Sequence, residues 1–202
     1  MLDVPNNTEL LLSIARKHGL VRARDAVAAH VPQVVLTRLV RSGKLERVAR
    51  GVYALPGAAL GDGSSLGVVA VRIPGAVVCL ASALQVHGLS TWITPEVWVA
   101  VEQHRRPPRL DWPPLHVVYT SAALLSAGIE QRVIGGATVT LTNPARTVAD
   151  CFKWRSTVGL DVAVESLRGY LAAYPGGRDQ LRRMAELCRV SRVMRPYLEA
   201  LQ

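Results

Sequence analysis

The stretch Gln33–Leu55, QVVLTRLVRSGKLERVARGVYAL, constrains this chain more than any other. At about 100° per residue, Val35, Leu36, Leu39 and Val40 share one arc of a helix, and Gln33, Thr37, Arg38, Arg41 and Lys44 share the opposite arc. Only Val34 breaks the division. Two short runs rich in β-formers follow at once, Leu45–Ala49 and Val52–Leu55, joined at Arg50-Gly51. A helix with one polar, arginine-bearing face leading into a basic hairpin is how a winged helix-turn-helix meets DNA.

The preceding residues complete that order. Thr8–His18 carries an apolar stripe of Leu10, Leu11, Ile14 and Ala15, with Asn7 or Thr8 to cap it and Gly19 to end it. Arg22–Ala29 reads as a second short helix. Pro32 disfavours a helical Val31, which sets a turn before the third helix, Gln33 to Ser42-Gly43. Residues 1–57 are therefore expected to form a winged helix-turn-helix, and 58–65, inside the turn-rich PGAALGDGSS, a linker. Arginine reads guanine, glutamine reads adenine and threonine touches a thymine methyl. Gln33, Thr37, Arg38 and Arg41 supply these types on one helix face. Lys44, Arg47 and Arg50 stand at the helix end and on the wing, placed for phosphate or minor-groove contacts.

Residues 66–202 read as a mixed α/β domain with a helical C-terminal tail, giving an α+β chain. Helices are expected over Leu66–Arg72 and Val77–His87, and strands over Glu96–Val101 and Leu115–Thr120. Glu130–Ile134 and Ala137–Leu141 form a hairpin about Gly135-Gly136. Asn143 as N-cap and Pro144 at the first helical position start a helix to Trp154. Three tail helices follow, over Asp161–Tyr174, Arg178–Cys188 and Arg192–Leu201.

Charge narrows the partners. The chain of 202 residues carries a net +9, with a pI near 10.2, which calls for a polyanion or an acidic protein. Residues 1–60 hold nine Lys/Arg against four acids, while the other 142 residues hold 15 against 11, so the basic module is the N-terminal one. No apolar run reaches the roughly 20 residues of a membrane helix, and MLDVPNNTEL lacks the pattern of a signal peptide. A cytoplasmic protein without a membrane partner is expected. Cys79, Cys151 and Cys188 are widely spaced, with no Cys-x-x-Cys pair, and read as buried thiols. His87, His104 and His116 share no metal-ligand spacing. Glu96 and Glu102 lack the rest of a nuclease pattern, and no phosphate loop or Gly-x-Ser-x-Gly elbow occurs. No catalytic residue, metal or cofactor is expected. Arg178, Arg182, Arg183 and Arg189 form, with Arg192 and Arg195, a candidate partner surface on the tail. Arg146 and Asp150 are one turn apart on a helix and suited to pair with each other.

Three stretches together resemble a known family. LVRSGKLERVARGVYALP resembles the N-terminal domain of the AbiEi-type antitoxins of bacterial type IV toxin–antitoxin systems. CLASALQVHGLST (Cys79–Thr91) and LTNPARTVAD (Leu141–Asp150) are similar to two segments of that family's C-terminal domain. Length and arginine-rich composition look most like mycobacterial members. The resemblance implies an antitoxin that represses its own operon by binding inverted repeats, two copies per operator. It also implies neutralisation of a cognate AbiEii-type nucleotidyltransferase toxin. By the same match Lys44, Arg47 and Arg50 on the wing and Arg38 and Arg41 on the helix are DNA-binding residues. The alternative reading is a stand-alone winged-helix regulator whose C-terminal domain senses a ligand or a protein.

Overall fold

The computed structural model describes residues 7–57 and 64–201. The expected linker, 58–65, lies outside the described residues but for its last two positions. The chain folds as two compact units. The first ends at Pro74 and also takes in Pro108–Pro113 and Val133–Val139; the second holds Gly75–Pro107, Pro114–Arg132 and the chain from Thr140.

In the first unit the order is α1 (Asn7–His18), β1 (Leu20–Arg22), α2 (Ala23–Ala28), α3 (Gln33–Arg41), β2 (Glu46–Ala49) and β3 (Val52–Ala54). The strands form one sheet in the order β1-β3-β2, both pairings antiparallel. This is a winged helix with a three-stranded sheet. Sequence periodicity misses β1, because three residues directly after Gly19 are too few to show alternation. Leu11, Leu12 and Ala15 of α1, Ala26 of α2, Val31 before α3, and Val35, Leu36 and Leu39 of α3 bury one another over Val21 and Leu45. A second cluster joins Leu20, Val52 and Ala54 to Ala137, with Ala70 and Val71 of α4 (Ser64–Arg72) packed on it. That packing carries the unit past position 57, the expected end of the winged helix, to Pro74.

The second unit holds most of a five-stranded sheet, order β6-β5-β4-β8-β7, whose residues 133–139 are counted in the first unit. Its elements are β4 (Val77–Val78), α5 (Leu80–His87), β5 (Val97–Glu102), β6 (Leu115–Thr120), α6 (Ala122–Ser126), β7 (Ile129–Ile134), β8 (Ala137–Thr142) and α7 (Pro144–Lys153). The tail adds α8 (Arg155–Val158), α9 (Leu160–Ala173), α10 (Arg178–Leu187) and α11 (Ser191–Ala200). Strand β4 runs antiparallel to β5 and parallel to β8, and β5 runs parallel to β6. The expected single helix over Val77–His87 is corrected here. Val77 and Val78 are a strand buried between two neighbours, and the helix starts at Leu80 after an extended Cys79. A short, wholly apolar run looks the same to periodicity in either state. The core gathers Leu84 of α5, Trp98 of β5, Phe152 of α7, Leu167 and Tyr170 of α9, Leu181 of α10 and Met194 of α11.

Candidate nucleic-acid interface

Helix α3 owes its orientation to what its apolar arc buries. Pro32 precedes it in extended backbone, so the chain enters the helix from a fixed direction. Val35, Leu36 and Leu39 then lock that arc into the core. Gln33, Thr37, Arg38 and Arg41 are left exposed on the opposite face, and Lys44 is exposed just beyond it. Val34, the residue that broke the sequence pattern, lies 60% exposed among them. An exposed isopropyl group beside arginines suits a thymine methyl, so Val34 joins the candidate reading face. Nothing but its mismatch to the apolar arc could have found it.

The wing is a tight hairpin fixed from behind. Glu46 pairs with Ala54 and Arg47 with Tyr53, and a bulge at Val48 resets the register so that Ala49 faces Val52. Gly51 turns the chain at φ +73°, a left-handed conformation open to glycine without strain. Arg47 and Arg50 are exposed at its two ends. Two bonds hold the tip: the Ala23 N–H donates to the Gly51 carbonyl at 2.8 Å, and the Arg72 guanidinium donates to the Arg50 carbonyl. Arg72 was not among the sequence candidates, since nothing local ties residue 72 to residue 50. Among the described residues no ion pair involves Arg38, Arg41, Lys44, Arg47 or Arg50. Five exposed cations with no acidic partner on a helix and its wing form an anionic-ligand surface.

Tail arginines line two separate concavities. Arg178 and Arg182 line a groove of about 300 Å³ between α10 and α11, together with Glu186, Arg195 and Glu199. Arg178 donates to the Leu201 carbonyl at 3.2 Å, and Arg182 pairs with Asp179 at 3.4 Å. Arg183 is exposed on α10, and Arg189 lines a different pocket.

Arg146 and Asp150 face inward. Asn143 caps α7 by accepting from the Arg146 N–H at 2.9 Å. The Arg146 side chain, 4% exposed, donates through Nε to Asp150 Oδ1 at 2.9 Å and through Nη1 to the Leu124 and Ala127 carbonyls, each at 2.8 Å. Cys188 Sγ donates to the same carboxylate oxygen at 3.4 Å. Burial pushes the Asp150 carboxyl above its ordinary range, and the guanidinium pulls it back. This network joins α6, α7 and α10, and its ring of satisfied donors marks a fold-holding pair. All three cysteines are buried and free. Burial raises their thiols, that of Cys188 to about 12, so none is a thiolate nucleophile at neutral pH. Among the described residues no group of His, Cys, Asp and Glu is arranged to hold a metal ion, and no helix is long and apolar enough to cross a membrane.

His87 also holds the fold. Its Nε2 lies 2.7 Å from the Thr142 carbonyl and its Nδ1 lies 3.3 Å from Arg132 Nη2. A carbonyl only accepts and a guanidinium only donates, so the ring is neutral with its proton on Nε2. Burial lowers its pKa, and the Thr142 carbonyl partly offsets this. A folded-state pKa below the unfolded one gives stability that is present above about 6.5 and lost as pH falls through the folded value. Thermal melts of wild type and His87→Gln are therefore expected to differ most near neutrality and to converge on acidification. A gap that widens as pH falls contradicts the lowered pKa.

Residues 9–56 match the model of a family described as a transcriptional regulator, the AbiEi antitoxin. No curated protein matches the sequence. Among solved structures, the crystal structure of the RV2827C protein from Mycobacterium tuberculosis aligns with a TM-score of 0.56 at 16% identity. The alignment covers 88% of this chain and 70% of that one. At that identity the likeness establishes a shared fold. The segment 9–56, which holds α1 to α3 and the wing, is thus similar to the AbiEi antitoxin family of transcriptional regulators.

Proposed function

We propose that this chain is the antitoxin of a type IV-like toxin–antitoxin pair and the repressor of its own operon. Residues 1–57 are the DNA-binding module, 58–65 the linker and 66–202 the antitoxin domain that neutralises a nucleotidyltransferase toxin. Two copies occupy an inverted repeat, each laying α3 in the major groove and its wing against the backbone. Gln33, Thr37, Arg38 and Arg41, with Val34, read base edges; Lys44, Arg47 and Arg50 hold phosphates. The protein acts in the cytoplasm, without catalysis or cofactor.

The observation that carries this reading is the exposed face of α3 beside a wing whose cations have no acidic partner. The family match over 9–56 supports it. Nuclease footprinting on the DNA upstream of the chain's own gene tests it: an inverted repeat should be protected in both halves, on the face met by α3. Protection indifferent to sequence would contradict it. Co-expression with the neighbouring gene product tests the second half. Rescue of growth supports the antitoxin role, and its absence beside intact operator binding favours a stand-alone regulator.

A further inference from the structure

A pocket of about 620 Å³ opens in the second unit, walled by Ser121, Leu124, Leu187 and Cys188, with Lys153 and Arg189 at its lining. Both charged residues that line it are cations, and no carboxylate does. Among the described residues neither cationic side chain forms a hydrogen bond or an ion pair. Arg146, Arg182 and Arg195 are each ion-paired with an acid, whereas Lys153 feels the charge of buried Asp150 without an ion pair.

Arg189 stands where a side chain is costly. It follows the last turn of α10, where its N–H reaches the Glu186 carbonyl and the next N–H reaches Ala185, and its φ is +60°. Glycine is the residue that takes this helix-ending position without strain. A long cation held there in left-handed backbone keeps a positive charge on the pocket at a local conformational cost.

The walls are set before any ligand arrives. Arg146 Nη1 holds the Leu124 carbonyl at 2.8 Å, and Cys188 Sγ is tied to the Asp150 carboxylate at 3.4 Å. Ser121 Oγ accepts from the Leu124 N–H, which leaves its own proton to donate. The buried ion pair thus braces two sides of the pocket. Its size lies in the range of small-molecule sites, about 300–1,000 Å³. A concavity with leucine on two walls suits a compact ligand with an apolar part. A DNA backbone would instead track along a continuous basic surface.

We propose that this pocket binds a phosphorylated small molecule of nucleotide size. The phosphate lies between Lys153 and Arg189 with the Ser121 hydroxyl as a third donor, and the organic part lies against Leu124 and Leu187. The planar guanidinium and the point-charge ammonium together match an anion with several oxygens. This inference does not rest on the DNA-binding reading.

Isothermal titration of the full chain with ATP, and separately with inorganic pyrophosphate, tests it. ATP is expected to bind, and pyrophosphate to bind more weakly for want of the apolar contacts. Lys153→Met and Arg189→Gly should each weaken ATP binding about tenfold or more. Arg189→Gly should also raise the melting temperature, so its lost affinity would not come from unfolding. Absence of ATP binding, or ATP binding that survives both substitutions, overturns the proposal. Pyrophosphate bound as tightly as ATP overturns the assignment of an organic phosphate. Equal losses of DNA affinity in both variants without any ATP binding would assign the pocket to the DNA interface instead.

Discussion

Asp150→Ala is expected to cost about 3–5 kcal/mol of stability, the penalty for breaking a buried ion pair from one side. The carboxylate accepts from the Arg146 Nε at 2.9 Å, and both side chains are nearly sealed from water, at 4% and 7% exposed. Removing it leaves a guanidinium in low dielectric with carbonyl partners alone. It also frees the Cys188 thiol from its acceptor. The Asp179–Arg182 pair offers the contrast, since both of its side chains are more than two-thirds exposed. Asp179→Ala should cost no more than about 1 kcal/mol. Removing both buried charges, as Arg146→Met with Asp150→Leu, should cost clearly less than the two single losses together, because no orphan charge remains. Urea titrations of wild type, Arg146→Met, Asp150→Leu and the double variant give the coupling. A cost for Asp150→Ala as small as that for Asp179→Ala would show that the pair does not brace the fold.

The second large effect concerns DNA. Arg38→Ala and Arg41→Ala are each expected to weaken binding to the cognate operator by about 1–3 kcal/mol, which is several-fold to more than a hundredfold, while non-specific binding changes little. Both side chains are exposed and make no contact that holds α3 in place, which is the work of Val35, Leu36 and Leu39. The variants should therefore melt with the wild type, so that an affinity change reports on the interface alone. Val34→Ser offers a finer test: discrimination should fall at one A·T pair and nowhere else. Equal losses on specific and random DNA would place α3 on the backbone and not in the groove.

The first module was legible because its signals are local. The arc of Val35, Leu36 and Leu39 and the basic face opposite it are read at helical spacing within nine residues, and Gly51 marks the hairpin by itself. The i, i+4 spacing of Arg146 and Asp150 also announced their pairing. Its depth did not show, because the Leu124 and Ala127 carbonyls and the Cys188 thiol come from distant segments. The same limit hid Arg72 behind the wing and set Arg189 beside Lys153, two residues that only the packed helices bring to one pocket. Strands β1 and β4 failed for another reason. Two or three residues give no period to read, and only their neighbours in the sheet define them. Of the tail arginines, Arg178, Arg182 and Arg195 line one groove and Arg189 another pocket, a division that depends on how α10 and α11 pack and that sequence order does not show.

The central claim is that α3 and its wing form a DNA-binding surface. The most direct measurement is the salt dependence of operator affinity for wild type and for Arg47→Ala/Arg50→Ala, read by fluorescence anisotropy. If both arginines contact phosphates, each releases about one counterion on binding. The slope of log affinity against log salt should then become shallower by about one per arginine removed, with weaker binding on every sequence. A double variant that keeps the wild-type affinity and slope would contradict the assignment of the wing.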